Sequence, residues 1–498
     1  MRAIDQAPEA DPAAPAFQGR AAAKAVRWSS LSVLGRQGFQ IVLALVLARL
    51  IGPEAYGAVA AATLVTTLAA LLLDQGLAAA LVQRADLPRG AAGATATVNL
   101  LSALVLGAVV VATAPLLAAF LNSPGLAPML LWLGPGLLLK GAAIVPRAML
   151  LRRLELSRVA VVEIVAAALG TAVGLAAAFA GAGTAAMVAS VLVTDAAVAT
   201  ALLAQERGSA PNLRLRAFLP LAGFGGRVFA TNGVAYLSRN TDTVLVGHLL
   251  GQSALAQYSM AYRVLVIPVQ FLGQSVNRVL FPVLSRAQGR REELAAHLHR
   301  ATALLALTAV PPMVLVACAA PQLVAVLLGP AWAATAPVMA VLAIAGARET
   351  VFYVTPVLMR AAGEAGLGLR FQVLSTLVQV AGIVAGLPFG LLGVAIGYTV
   401  AGFLLVPLLL VLQRRLAGVA VRQQLGTMLP PLHASAWGAA GYLAVALLLP
   451  APSVVVLLVG SAVFLLLAAA VLRLAHPAAA ASGLARVRSL VGLRGSAR

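Results

Sequence analysis

Nine charged side chains lie deep within stretches that are otherwise apolar: Arg36, Lys140, Arg239, Arg263 and Arg348, with Asp74, Asp195, Asp242 and Glu349, whereas Arg227 and Arg278 are expected to snorkel to the inner edge. A charge at the centre of a membrane-crossing helix costs about 2.5–3.5 kcal/mol on insertion scales, so such groups are expected to face the protein interior or a water-filled cavity. Cations outnumber acids in this set. Buried cations in excess of their counter-ions are best answered by an anion that visits, and the planar fork of arginine suits phosphate or diphosphate.

Spacing sharpens the set. In Ser238-Arg239-Asn240-Thr241-Asp242, Arg239 and Asp242 are three apart and share a helix face, so they form either a self-neutralised pair or part of a cavity lining. Arg36 and Gln40 share a face in the same way, with Gln37 beside them, as a binding stripe or as a polar seam against another helix. The expected anion-binding residues are therefore Arg36, Gln40, Lys140, Arg239, Asn240, Asp242, Arg263 and Arg348. Asp74, in Leu73-Asp74-Gln75-Gly76, is either a proton or cation carrier or the partner of Arg36, with the partner role favoured. Asp195 and Glu349 carry the same two alternatives, whereas Glu163, near a helix end, is expected to be solvated. His248, His297, His299, His433 and His476 show no metal-ligand spacing on a common apolar face. No catalytic group, metal or cofactor is expected, and the chemistry implied is binding and movement of an anion.

The elements that must hold these side chains are membrane helices. With 61% hydrophobic and 10% charged residues over 498 positions, the chain has too little polar surface to cover a water-soluble globule of its size. Segments of about twenty apolar residues predict fourteen spans, at 28–50, 57–82, 92–121, 126–146, 160–181, 184–204, 219–250, 254–280, 301–328, 334–359, 369–389, 391–413, 432–450 and 452–472. Alternate polar interruptions hold 27 of the 35 Lys and Arg, while those around Asn122, Ala182, Trp332, Pro388 and Pro450 hold none. Only Arg49, with Glu54, breaks the alternation. By the positive-inside rule the basic side and both termini are cytoplasmic.

The net charge of +20 is spread over these cytoplasmic segments without aromatic interleaving, which points to topology control and anionic lipid and away from nucleic acid. The single cysteine, Cys318, can form no internal disulfide. Residues 1–27 mix both signs of charge and lack an apolar core of signal-peptide length, so an uncleaved, disordered cytoplasmic tail is expected. The strip Ser285-Arg286-Ala287-Gln288-Gly289-Arg290-Arg291-Glu292-Glu293 suits an interfacial helix in the loop 285–300.

A repeat is legible. Leu50, Gly52 and Ala55 recur as Leu249, Gly251 and Ala254, at the ends of the first and seventh spans. A shift by six spans preserves orientation, so two six-helix halves related by a pseudo-twofold along the membrane normal are expected, with the substrate between them. The expected organisation is a tail 1–27, an N-lobe 28–204, a linker 205–218, a C-lobe 219–413, accessory spans 432–472 and a basic tail 473–498.

Several strings resemble the polysaccharide transporter family, the Wzx-type flippases of the multidrug/oligosaccharidyl-lipid/polysaccharide exporter superfamily. They are Leu50-Ile51-Gly52-Pro53-Glu54-Ala55-Tyr56-Gly57, Asp74-Gln75-Gly76-Leu77 with Ala80-Leu81-Val82-Gln83-Arg84, Tyr236 to Asp242, Tyr258 with Ala261-Tyr262-Arg263, and Phe281-Pro282-Val283-Leu284-Ser285. The likeness runs over residues 28–415. It implies two lobes around a cavity lined by spans 1, 2, 7 and 8, and an oligosaccharide on undecaprenyl diphosphate moved from the cytoplasmic to the periplasmic leaflet of the bacterial inner membrane. It places Arg239, Asn240, Asp242, Arg263 and Asp74 in matching motifs, while Arg36, Lys140 and Arg348 rest on charge alone. Gln75 departs from the Leu common in the family string. Polysaccharide polymerase and chain-length or export proteins are the protein partners this implies. The alternatives are a cation-coupled drug antiporter of the same fold, a carrier of the peptidoglycan precursor, a membrane polymerase or ligase, and a scaffold. The net-basic interior, the 5% aromatic content and the short outward loops weigh against the antiporter and the enzyme.

Overall fold

The computed structural model describes residues 14–74, 77–83, 87–214 and 218–481. Among them the regular structure is helical, with no strand. This follows from the solvent, because lipid offers no hydrogen-bond partner and each spanning segment must satisfy its own backbone.

The first unit contains α1 (Ala14–Asp74), α2 (Leu77–Gln83), α3 (Ala91–Phe120), α4 (Leu126–Arg152), α5 (Leu156–Phe179) and α6 (Ala185–Gln205), and ends within α7 (Leu219–Arg286) at Arg239. The second continues from Asn240 through α8 (Arg291–Leu327), α9 (Thr335–Phe352), α10 (Val354–Ala361), α11 (Ala365–Gly386), α12 (Gly390–Leu404), α13 (Val406–Ala417), α14 (Val421–Leu448) and α15 (Ser453–Ala475). It also takes in one short piece of α1, Gly52–Gly57.

Two of these helices cannot be single crossings. At about 1.5 Å per residue, the 61 residues of α1 and the 68 of α7 each exceed two thicknesses of a hydrocarbon core of about 30 Å. Both are broken, at Gly52 (φ 74, ψ 172) and at Gly251 (φ 85, ψ 177). A positive φ with ψ near 180° is open to glycine alone, and these are the two glycines of the sequence repeat. With α9 and α10 forming one crossing, α12 and α13 another, and α2 prolonging the second limb of α1, the helices make fourteen spans.

The repeat extends beyond that pair. Gly90 and Gly289 both have φ 84 and keep the same offset of 199, being 289 less 90 and 251 less 52. In the later spans Glu155 (φ −84, ψ 46) and Glu364 (φ −89, ψ 52) precede α5 and α11 at an offset of 209, 364 less 155. Packing repeats as well: α3 lies on α4, α4 on α6 and α5 on α6, and likewise α8 on α9, α9 on α12 and α11 on α12. Small residues allow these approaches, as where a Cβ on Gly107 would come 2.7 Å from the Gly134 carbonyl. The appended pair α14 and α15 packs on itself and on α8 around Tyr442, Phe464, Ala434 and Ala319.

Two expectations need correction. Helix α1 begins at Ala14, within the tail expected to lack structure, because the alanine-rich run 14–27 favours helix and continues into the first span. Residues 1–13 lie outside the described residues. The polar strip at 285–300 is no separate interfacial helix: from Arg291 it forms the first turns of α8, whose Leu294 and Leu298 pack with Leu284, Val357 and Leu358.

Candidate functional site

In the second unit, four of the expected residues fall into one polar neighbourhood. Asp242 on α7 is only 3% exposed. Its Oδ2 accepts from the Tyr258 hydroxyl at 2.9 Å and its Oδ1 from the Thr243 N–H at 2.7 Å. Tyr258 lies beyond the Gly251 break, so the bond ties the two limbs of α7 together. The Tyr258 ring stacks on Tyr262 at 5.8 Å, and Tyr262 meets the edge of Tyr398 on α12 at 6.5 Å. Tyr398 donates to Glu349 Oε2 at 3.2 Å, which joins α12 to α9. Beside Glu349, Arg348 is 8% exposed and donates from Nη1 to the Gly402 carbonyl at 3.1 Å. Its Nε and Nη2 have no partner among the described residues. Arg263, one residue after Tyr262, donates from Nη2 to the Tyr56 hydroxyl at 3.3 Å.

In the first unit, Lys140 on α4 and Asp195 on α6 form an ion pair, with Nζ 2.9 Å from both carboxylate oxygens. The elements correspond to those joined by Arg348 and Glu349 in the second unit, α9 and α12. Arg36 and Gln37 are half-buried and Gln40 is exposed. Asp74 accepts from the Ala78 N–H at 3.4 Å, and among the described residues no ion pair joins it to Arg36. Glu163, expected in solvent, is buried, with its Oε1 2.7 Å from Arg147. The reason is that α4 runs on past residue 146 and carries Arg147 over α5. Asn240 is half-buried, and the side chain of Arg239 lies outside the described residues.

The geometry separates the cations by what answers them. Lys140 faces a carboxylate and Arg348 a main-chain carbonyl, whereas no carboxylate within the described residues reaches ion-pairing distance of Arg36 or Arg263. Sequence reasoning did not single out Tyr398, and quoted Tyr258 and Tyr262 only as parts of a motif. The usable signal was their spacing of four, which puts both rings on one helix face.

The sequence model described as "Polysaccharide biosynthesis protein" matches residues 46–337, more than half of the chain. The lipopolysaccharide biosynthesis protein WzxC of Escherichia coli K12 is 25% identical over 420 residues, 82% of this chain and 84% of that protein. The succinoglycan biosynthesis transport protein ExoT of Rhizobium meliloti is 28% identical over 332 residues, 66% of this chain and 67% of that one. Among solved structures, an inward closed conformation of the lipid II flippase MurJ superposes with a TM-score of 0.69 at 14% identity, covering 90% of this chain and 99% of that one. An inward-facing multidrug resistance transporter of the MATE family gives 0.59 at 16% identity, covering 79% and 98%. At such identities these two likenesses concern the fold.

Proposed function

Because the chain belongs to the polysaccharide biosynthesis protein family, we propose that it is a flippase, which carries an oligosaccharide on undecaprenyl diphosphate across the bacterial inner membrane for exopolysaccharide or lipopolysaccharide assembly. The observation that carries this reading is the set of intramembrane arginines, Arg36 and Arg263, that no carboxylate among the described residues neutralises. A guanidinium in a low-dielectric setting gains most from a bidentate oxyanion, and a diphosphate offers two. Within the second unit, Asn240 and Arg263 would meet the head group and the tyrosines near Arg263 the sugar; Arg36, Gln40 and Arg239 of the first unit are proposed as ligands of the same cargo on their charge and polarity, and the polyprenyl tail would stay in lipid. Lys140 with Asp195, and Arg348 with Gly402, would instead hold α4 on α6 and α9 on α12.

Transport of this kind needs no covalent step. The substrate enters with the protein open to the cytoplasm and leaves with it open to the periplasm, each state being favoured by its own contacts. Relatives named for lipopolysaccharide biosynthesis and succinoglycan transport support a cargo of this class. The basic cytoplasmic segments would contact anionic lipid, and a polymerase or export protein would take the product.

The deciding experiment is leaflet-resolved mass spectrometry of diphosphate-linked lipids after depletion of the protein in its native cell. A polyprenyl-diphosphate oligosaccharide confined to the cytoplasmic leaflet, with loss of surface polymer, is the expected result. The same lipid gathering on the periplasmic face would assign the block to a later step, and an unchanged lipid pool would rule out this cargo.

A further inference from the structure

Trp437, His433 and His476 form a hydrogen-bonded row at the basic end of α14 and α15, apart from the residues assigned to cargo. The Trp437 Nε1–H donates to His433 Nε2 at 3.1 Å, and His433 Nδ1 lies 3.1 Å from His476 Nε2. The two imidazoles meet edge to face, with centroids 5.3 Å apart and planes at 86°. His433 and Trp437 are exposed and four positions apart on α14, and so share a face, while His476 directly follows α15. The row therefore joins the end of α15, and the chain that leaves it, to α14.

Proton positions in the row follow from what each nitrogen can do. An indole nitrogen only donates, so His433 Nε2 must present its lone pair to Trp437. A neutral imidazole then carries its one proton on Nδ1 and donates it to His476 Nε2, which leaves the His476 proton on Nδ1. Both links use one proton, and both point the same way. An added proton has no place here. On His433 Nε2 it would face the Trp437 N–H, and on His476 Nε2 it would face the His433 Nδ1–H. Moving the His433 proton to its other nitrogen only carries the conflict to Trp437.

The surroundings offer an imidazolium no counter-ion. Residues 365–498, which include α11 to α15, contain no Asp or Glu. The charged and titratable groups on the packed elements are Arg422 on α14, Arg473 on α15, Arg414 and Arg415 on α13, and Arg291, Glu292, Glu293, His297, His299 and Arg300 on α8. Two contacts, Thr427 with His299 at 2.9 Å and Tyr442 with Gln322 at 3.2 Å, show that α14 and α8 run parallel. His433 thus lies about 9 Å along α14 beyond the level of His299, while Glu292 and Glu293 lie about as far in the other direction. The contact made by His299 tolerates a proton. The Thr427 hydroxyl gives its hydrogen to the Gln423 carbonyl at 2.8 Å, so His299 donates from Nδ1, as an imidazolium also does.

We propose that Trp437, His433 and His476 are an acid-released clasp: with both imidazoles neutral it holds the end of α15 on α14, and a proton taken up by either histidine lets that end go. The clasp is complete at alkaline pH and lost as pH falls. The chain beyond it carries Arg486, Arg488, Arg494 and Arg498 and no acid, so what the clasp restrains is the start of a basic tail. None of this depends on the cargo.

The test is a distance measurement between spin labels by pulsed electron resonance, on the full chain in lipid nanodiscs. With Cys318→Ser removing the native thiol, the labels go on Gln423→Cys in α14 and Ala478→Cys just past the clasp, both exposed positions. The distance distribution should be narrow at about pH 8 and broad at about pH 5.5, limits that bracket the range in which histidines gain protons, and it should narrow again on return. Release linked to one proton raises the ratio of open to closed by up to about tenfold per pH unit. His476→Ala should give the broad distribution at both pH values. Trp437→Phe is the sharper variant, because it removes the donor that opposes a proton on His433 Nε2. A protonated His433 can then still donate from Nδ1 to His476, so this variant should stay narrow in acid. An unchanged distribution between the two pH values in the otherwise unaltered protein would overturn the clasp. So would a narrow distribution in His476→Ala at about pH 5.5, or acid broadening in Trp437→Phe equal to that without the substitution.

Discussion

The guanidinium of Arg348 lies flat against the backbone of Gly402, so close that a Cβ at that glycine would sit 2.6 Å from Cζ and from Nη2. This approach aims Nη1 at the Gly402 carbonyl, and it needs a residue without a side chain at position 402. Gly402→Ala should therefore push Arg348 off α12 and destabilise the protein by about 1–3 kcal/mol, the usual range for overpacking. Thermal unfolding in detergent would show it. Combining Gly402→Ala with Arg348→Ala should cost less than the sum of the two, because their effects share one contact; strict additivity would mean that the contact does not hold α9 to α12.

The corresponding link in the first unit is ionic. Lys140 and Asp195 keep side-chain exposures of 29% and 13%. Asp195→Asn strands the ammonium, and removing one partner of a buried pair typically costs about 3–5 kcal/mol. The loss here should fall near the lower bound, since Lys140 keeps some access to polar surroundings. Lys140→Met with Asp195→Leu should recover most of it. If transport in cells survives that double change, Lys140 holds helices together and does not touch cargo; loss of transport in a protein of normal stability would return it to the head-group site.

The spans were legible in the sequence because lipid imposes both length and composition on them. The sixth, predicted at 184–204, is Ala185–Gln205. Where a span was drawn too short, as at 126–146, the helix runs to Arg152 because polar neighbours satisfy its basic end: Arg147 pairs with Glu163 and Arg152 donates to the Leu81 carbonyl. The repeat was visible through Gly52 and Gly251 because a backbone conformation closed to other residues leaves a mark in sequence. The site was less legible. Asp242 and Tyr258 are 16 positions apart across a helix break, and Arg348 bonds a main-chain carbonyl, which any residue could supply. Charge alone suggested joining Arg36 to Asp74, but nearness in charge and depth does not fix which way two helices turn their faces.

Tyr258 donates to Oδ2 of the buried Asp242 carboxyl from across the Gly251 break. Tyr258→Phe keeps the stack on Tyr262 and leaves Oδ2 without its hydroxyl, a change that should cost about 1–3 kcal/mol. Asp242→Asn in the same protein should restore part of that loss by removing the charge. If Tyr258→Phe left the unfolding temperature unmoved, the bond would not tie the limbs of α7.

In the linker between the sixth and seventh spans, Glu206 pairs with Arg153 at 2.6 Å and Asn212 supplies a second anchor. Asn212 donates from Nδ2 to the Gly90 carbonyl at 3.0 Å and from its backbone to the Gly93 carbonyl at 3.2 Å, while its own carbonyl accepts from Thr97 at 2.7 Å. Gly93 leaves no room for a Cβ, which would overlap Asn212 Nδ2 and the Ala210 carbonyl. Asn212→Ala should thus release the segment without disturbing the spans, and Gly93→Ala should release it by displacement. Limited trypsin digestion reads this directly, since Arg207 and Arg214 flank the anchor and cleavage follows the population of the open form. Each variant should raise cleavage there about tenfold, the equivalent of roughly 1.4 kcal/mol of local opening. Equal protection in wild type and both variants would mean that contacts other than Asn212 hold the linker to α3.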